Sequence, residues 1–314
     1  MAVPPTTVIV TGRQDRDAWR RWRVVAETAR MASTVRGPRR KSTPVLLLAK
    51  TVGLALGLVG VGRAASRDLG LTEIEFLCPT LPPAFDGYTI LHLSDIHAGM
   101  GDGVIERAAG LVRNLPADLV VFTGDIQTVG RPDAAGTVLM LSPLLEALEA
   151  RDGILAVLGN HDSHDLPEPL EARGVTVLIN ERAEIRRGPD AIHVTGTDDV
   201  HYFFTEAAVC ALTVRPPGFS IALVHSPELA DVAAAAGHAL YLTGHTHGGQ
   251  IALPCGRPIM TATVKHRRLA SGVWRFGAMQ GFTSRGIGTG PVPVRWNCPA
   301  EIARIRLRRG TPRD

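Results

Sequence analysis

The chain has no C-x-x-C pair: its four cysteines, Cys78, Cys210, Cys255 and Cys298, stand far apart. That spacing excludes a zinc ribbon, whose ligands come in close pairs. Disulfide pairing among the four stays open. Internal repeats and low-complexity tracts are also missing, which excludes a repeat array. So is a basic stripe in the larger part of the chain. The net charge is +4, but residues 1–70 hold 13 Lys/Arg against 4 Asp/Glu, and the remainder holds 21 against 26. Beyond residue 70 the chain is net acidic and lacks the footprint of a long nucleic-acid binder. The basic excess at the N-terminus suits a membrane surface instead. A length of 314 residues with 45% hydrophobic content leaves room for one large α/β domain plus an extension.

Five short apolar runs each end in residues that bind metals. They are TILHLSDIH (89–97), LVVFTGD (119–125), ILAVLGNHD (154–162), IALVHSP (221–227) and LYLTGHTH (240–247). Each reads as a buried strand running into a polar turn. Helical stretches are expected over 104–114, 138–150 and 227–236, which gives a βαβαβ order and a layered α/β core. The polar strand ends are Asp95, His97, Asp125, Asn160, His161, His225, His245 and His247. Open α/β sheets place their sites along such an edge. Asp95 and His97 are two apart, so on an extended segment both face one way. Mixed oxygen and imidazole donors suit a pair of divalent cations, Mn2+, Fe or Zn2+, better than Ca2+.

The ordered series D-x-H, G-D, G-N-H-D, a lone His and G-H-x-H resembles the calcineurin-like metallophosphoesterase family, over roughly residues 85–307. GHTHGGQ (244–250) and SRGIGTGPVPVRWNCPAEI (284–302) resemble its membrane-associated branch, which includes the YkuE and YaeI phosphodiesterases. The resemblance implies a four-layer α-β-β-α sandwich and a two-metal site. Asp95, His97 and His247 would hold one cation. Asn160, His225 and His245 would hold the other, with Asp125 bridging. His161 would stabilise the transition state or protonate the leaving oxygen, and Asp162 would orient its ring. Two cations roughly 3.5–4 Å apart can activate water and clamp a phosphoryl oxygen. The expected reaction is hydrolysis of a phosphodiester or pyrophosphate, on a membrane-associated or lipid-linked substrate such as the UDP-2,3-diacylglucosamine assigned to some relatives in lipid A synthesis. The rivals are a nuclease or cyclic-nucleotide phosphodiesterase, and an inactive metal-binding membrane scaffold. No nucleic acid is expected as partner.

Other residues carry weaker expectations. Arg285 is a candidate for a second phosphate, because Arg binds phosphate bidentately. His164, close to GNHD, is a candidate substrate contact. Asp198, Asp199 and His201 form a candidate substrate-side loop. His92, inside a strand, is expected to be a packed core histidine.

The N-terminal third divides into three parts. Residues 1–43 form an Arg-rich extension, read as disordered or as a basic amphipathic helix from Asp17 to Arg36 with Trp19, Trp22 and Ala26 on one side. Residues 44–62 are apolar apart from Lys50 and Thr51, near the ~20 residues that a span needs. They read as a membrane anchor, with a cleaved signal and a buried helix as alternatives. Basic residues Arg36 to Lys41 precede them, which places the catalytic domain on the outer side of a bacterial inner membrane; the cytoplasmic face is the alternative. Residues 63–84 are expected to be a linker, and 85–310 the metallophosphoesterase domain. Since no metal ligand precedes Asp95, a truncation starting near Leu71 is expected to stay active.

Overall fold

The structure is a computed structural model that describes residues 6–36, 58–100, 103–128, 133–290 and 293–311. Most of the apolar stretch 44–62 lies outside the described residues, as do Arg39 and Arg40. Among the described residues, no helix is long and apolar enough to cross a membrane.

The apolar runs form the expected strands: β3 (Thr89–Leu93), β4 (Leu119–Thr123), β5 (Ile154–Val157), β9 (Ser220–Leu223) and β10 (Leu240–Thr243). The first three lie parallel in a six-stranded sheet. The last two lie parallel in a seven-stranded sheet. Alternating side chains divide each strand between two cores. Ile90, Leu119, Val121 and Leu155 face Ile221, Leu223, Leu240 and Leu242 of the opposite sheet. Leu91, Val120, Phe122 and Ala156 pack under α3 (Val104–Val112) and α4 (Ala134–Ala147). Ala222, Val224 and Tyr241 pack under α6 (Glu206–Thr213) and α7 (Ala230–Ala236). The layers therefore run α-β-β-α. Strands buried on both faces explain why the runs are continuously apolar rather than alternating.

The N-terminal third differs from expectation in two places. The stretch read as a linker contains β2 (Leu69–Cys78), a ten-residue strand parallel to β13 (Ala300–Arg309). Ile74, Phe76 and Cys78 alternate with Glu73, Glu75 and Leu77, a strand period that the prolines after it obscured. A short helix, α2 (Leu58–Ser66), precedes it.

The Arg-rich extension is folded into the domain. Strand β1 (Thr6–Thr11) pairs antiparallel with β7 (Glu181–Arg187) at the sheet edge. Helix α1 (Arg16–Arg36) packs on loops that leave both sheets, against Asp162 from the six-stranded one and Asp198 from the seven-stranded one. Its inward positions, Arg16, Trp19, Arg23, Ala26, Glu27 and Arg30, recur at three and four residues, as a helix face requires. Trp22, expected on that face, is exposed. Arg16, Arg23 and Arg30, three of the basic residues assigned to a membrane surface, are thus bound within the protein.

Candidate metal centre

Every ligand candidate sits just past the C-terminal end of a parallel strand. Asp95 and His97 follow β3, Asp125 follows β4, and Asn160 and His161 follow β5. His225 follows β9, and His245 and His247 follow β10. The two sheets bring these ends to one edge. The turns are tight. A Cβ on Gly159 would lie 2.3 Å from Asp125 Oδ1, and one on Gly244 would lie 1.9 Å from Ser94 Oγ. Both positions need glycine because the opposing turn occupies the space.

Asp95 and His97 converge, but not as residues of an extended segment. Their φ values are 51° and 48°, and Asp125, His245 and His247 also have positive φ, at 50°, 67° and 50°. Five candidate ligands therefore hold the left-handed conformation that L-residues avoid. Such strain clusters at functional sites.

The donor atoms form two sets. Asp95, His97 and His247 make one, and Asp125, His225 and His245 the other, each with ligand atoms within 4.8 Å of one another. His97 Nε2 lies 3.1 Å from His247 Nε2, and His247 Nε2 lies 3.5 Å from Asp95 Oδ1. His225 Nε2 lies 3.2 Å from both Asn160 Oδ1 and His245 Nδ1. Asp125 Oδ2 stands between the sets, 3.6 Å from His97 Nε2 and 3.4 Å from His225 Nε2. One carboxylate thus faces both, as a bridging ligand must.

Neighbouring groups fix these donors. His225 Nδ1 donates to the Thr123 carbonyl over 2.7 Å, which leaves Nε2 to face Asn160 and Asp125. Ser94 Oγ donates to Asp95 Oδ2 at 2.6 Å. The amides of Ile287 and Gly288 bind the Ser94 and Asp95 carbonyls at 3.0 and 2.8 Å. Buried Arg295 holds that segment by donating to the Arg285 and Gly286 carbonyls at 2.7 and 3.0 Å. The SRGIG and VRWNC stretches of the tail therefore back the Asp95 turn.

Burial lowers His97 to about 4 and holds His245 and His247 well below the usual imidazole range. These rings are neutral, as ligands must be. Burial also raises the Asp95 carboxyl to about 7. At Asp125 burial pushes upward, but His225, His161 and His97 outweigh it and keep the carboxyl well below its usual value. At His225 burial pushes downward, and Asp125 overrides it to raise the imidazole to about 10. A cation held by His225 and Asp125 would take the place of that proton. Buried carboxylates and imidazoles converge with no apolar filler between them, and no thiolate is in either set. The residues fit a pair of divalent cations with mixed oxygen and nitrogen ligands.

His161 stands at the rim, its side chain 25% exposed, with Nε2 4.0 Å from Asp125 Oδ2. That is the place for a group that meets substrate rather than metal. Asp162 does not orient it. Its carboxylate accepts from the amides of Gln127 and Gly159 at 2.8 and 2.7 Å, and so staples the GNHD turn to the Asp125 turn. His164 turns away from the cluster and pairs with Glu27 of α1 at 2.8 Å. Arg285 is no free phosphate ligand either, since it is ion-paired with Glu301 and donates to Thr72 Oγ1 at 3.3 Å. His92 is a core residue: Nε2 meets Thr123 Oγ1 at 2.7 Å, and burial lowers it to about 3. In the 198–201 loop the residues divide. Asp199 binds the amides of His201, Tyr202 and Phe203, while the His201 ring lies 4.2 Å from that of His245.

Sequence reasoning placed helix α1 on a membrane surface, whereas the structure places it at this site. Arg23, fully buried, pairs with Asp198 at 2.6 Å and donates to the Gly159 and Asp162 carbonyls at 3.1 and 2.9 Å. Arg30 donates to the Asn160 carbonyl and lies over the Tyr202 ring. Trp19 Nε1 donates to Asp198 at 2.7 Å. The helical spacing of Arg16, Trp19, Arg23 and Arg30 was the available signal.

The profile of the calcineurin-like phosphoesterases matches residues 88–249. YkuE of Bacillus subtilis, named an uncharacterized metallophosphoesterase, is 30% identical in an alignment of 247 positions that covers 76% of this chain and 85% of YkuE. The phosphodiesterase YaeI of Escherichia coli is 29% identical in an alignment of 236 positions that covers 70% of this chain and 82% of YaeI. The UDP-2,3-diacylglucosamine pyrophosphatase LpxG of Chlamydia muridarum is 26% identical in an alignment of 299 positions that covers 76% of this chain and 89% of LpxG.

Proposed function

This chain belongs to the calcineurin-like phosphoesterase family and is a metal-dependent phosphoric ester hydrolase, and from that premise we propose that it cleaves a phosphodiester or pyrophosphate bond in a membrane-associated, lipid-linked substrate. The observation that carries the reaction class is Asp125 Oδ2, placed between two sets of buried donors. Asp95, His97 and His247 would hold one cation, and Asn160, His225 and His245 the other, with Asp125 shared. Bound there, a divalent pair supplies Lewis acidity toward a phosphoryl oxygen and acidifies water.

The chain's own residues do the rest. Asp125 keeps its negative charge among three imidazoles. Asp162 binds the Gly159 amide and Arg23 the Asp162 carbonyl, and together they hold the GNHD turn. His161, at the rim, offers a proton to the departing ester oxygen.

Two features support a lipid-linked substrate. One is the apolar stretch 44–62 behind a basic cluster, which would anchor the chain with its catalytic domain on the outer side. The other is the similarity to LpxG, whose named substrate carries acyl chains. Sidedness decides among substrates, because a UDP-lipid made in the cytoplasm requires a domain that faces it.

The test is hydrolysis by the purified full-length protein with Mn2+, Fe2+ or Zn2+. The panel holds phosphate monoesters, aryl phosphodiesters, and nucleoside-diphosphate lipids in mixed micelles. Diesters or pyrophosphates should turn over well above monoesters, with lipid-linked forms favoured. Faster cleavage of monoesters, or no metal-dependent turnover of any ester, would overturn the assignment.

A further inference from the structure

From residue 232 to residue 300 the chain contains no aspartate or glutamate. Within that span, residues 251–268 project from the turn that carries His247. Ile259 N donates to the Ile251 carbonyl at 3.0 Å and Leu253 N to the Arg257 carbonyl at 2.9 Å, which closes a small hairpin with Cys255 at its tip. The hairpin base is fixed to the site: a Cβ on Gly249, two residues past His247, would lie 2.4 Å from the Met260 carbonyl.

The projection carries side chains that a water-facing loop ordinarily lacks. Ile259, Met260 and Val264 are 59%, 67% and 78% exposed. Arg257, Lys265, Arg267 and Arg268 stand among them and are exposed too. A second exposed pair, Tyr202 and Phe204, lies on the neighbouring loop. Glu228 joins the two loops. It accepts from the Val264 amide at 3.2 Å and pairs with His201 Nδ1 at 3.1 Å. The His201 ring in turn packs against those of Tyr202 and His245. The exposed apolar groups therefore form one rim beside a candidate metal ligand.

We infer that this rim docks on an anionic lipid bilayer, with the hairpin tip and Ile259, Met260 and Val264 in the headgroup layer and Arg257, Lys265, Arg267 and Arg268 on lipid phosphates. Apolar side chains ringed by cations, on a projection without an acidic residue of its own and with the adjoining Glu228 and Asp231 paired to His201 and His266, complement such a surface in both polarity and charge. A patch of this kind marks an interaction site on a soluble domain. The contact is separate from residues 44–62. It turns the mouth of the metal centre toward the bilayer, so an ester at headgroup depth reaches His161 without leaving the membrane. That consequence rests on the phosphoesterase reading.

Cys255 makes the docking measurable. Cys78 and Cys298 are buried, so Cys210→Ser leaves Cys255 as the exposed thiol. The full-length protein, labelled there with an environment-sensitive fluorophore, is reconstituted into phosphatidylcholine vesicles with and without phosphatidylglycerol. With the anionic lipid, the emission should shift to the blue and be quenched by nitroxide-labelled lipids. The combined variant Ile259→Ser, Met260→Ser, Val264→Ser should lose both signals and still hydrolyse a soluble aryl phosphodiester at the parent rate. A label that stays water-like on anionic vesicles overturns the docking, whatever the hydrolysis shows. So does a lipid-independent shift that grows with protein concentration, which would assign the rim to a second copy. Loss of hydrolysis in parent and variant alike, with quenching intact, would refute the phosphoesterase reading and leave the docking standing.

Discussion

Arg23 and Asp162 lie 139 residues apart in the chain, yet the Arg23 guanidinium donates to the Asp162 carbonyl over 2.9 Å. The same guanidinium reaches the Gly159 carbonyl, and Arg30 takes that of Asn160. Two arginines two turns apart on α1 thus bind three carbonyls of the loop that carries Asn160 and His161. The loop is a ligand-bearing element whose geometry depends on a helix with no ligand of its own.

This contact reverses the expectation for a truncation starting near Leu71. Removing α1 would strip the GNHD loop of its donors and Asp198 of its counter-charge. The truncated protein is expected to hold less metal at the Asn160 position and to lose most of its turnover. Arg30→Ala, at a part-buried position, should weaken metal retention with a much smaller loss of thermal stability. Metal analysis and melting curves of the two proteins decide the matter. A truncation with two tightly held ions and parent activity would remove α1 from the site.

Asp125 tests the bridge. Asp125→Asn keeps shape but removes a negative charge and one oxygen donor from between the two sets. The His161 amide, which donates to Asp125 Oδ1 at 2.8 Å, still finds an acceptor if the side-chain amide presents its oxygen there. The fold should therefore persist, at least one ion should be lost, and activity should nearly vanish. Two retained ions with normal turnover would show that the carboxylate is not shared.

His161 and Asn160 should separate chemistry from metal binding. His161→Ala is expected to retain metal and slow turnover by about 10²–10⁴-fold, the usual range for a general acid. The defect should shrink for aryl esters with good leaving groups, which need no proton. Asn160→Ala should instead lower occupancy of the second set. An equal defect across leaving groups would make the His161 role electrostatic, and metal loss in His161→Ala would make it a ligand.

What was legible in the sequence follows from burial. β3, β4, β5, β9 and β10 lie between two cores, so their sequences are continuously apolar, and donors such as Asp125 and His225 stand out at their ends. The sandwich and the donor series could be read from that contrast. Tertiary partners could not. Arg23 reads as a solvent-facing residue until Asp198 and two carbonyls from the far side of the domain appear around it. Arg285 looks like a phosphate ligand by its chemistry and Asp162 like a histidine partner by its place beside His161, yet Glu301 claims one and two backbone amides claim the other. The backbone at Asp95 and His97 was also hidden, since nothing in D-x-H announces two left-handed residues.

Those left-handed residues lead to the last prediction. Five candidate ligands with positive φ each store about 1–2 kcal/mol of backbone strain. Burial of the Asp95 and Asp125 carboxyls adds to the cost of an empty site. Metal binding opposes both terms, because only the folded protein gathers the two sets. At a hundredfold excess over Kd, one ion stabilises by about 2.7 kcal/mol. That corresponds to a melting shift of roughly 4 °C for a unit of this size, at about 2.1 cal/mol/K of unfolding entropy per residue. Treatment with a chelator should therefore lower the Tm of the parent by at least this amount, and Mn2+ or Zn2+ should restore it. Asp125→Asn should show a markedly smaller drop, since it starts with less bound metal. A parent Tm indifferent to chelation, in protein shown by metal analysis to have lost its ions, would mean that the strained turns are stable by themselves and that the fold does not depend on what the two sets hold.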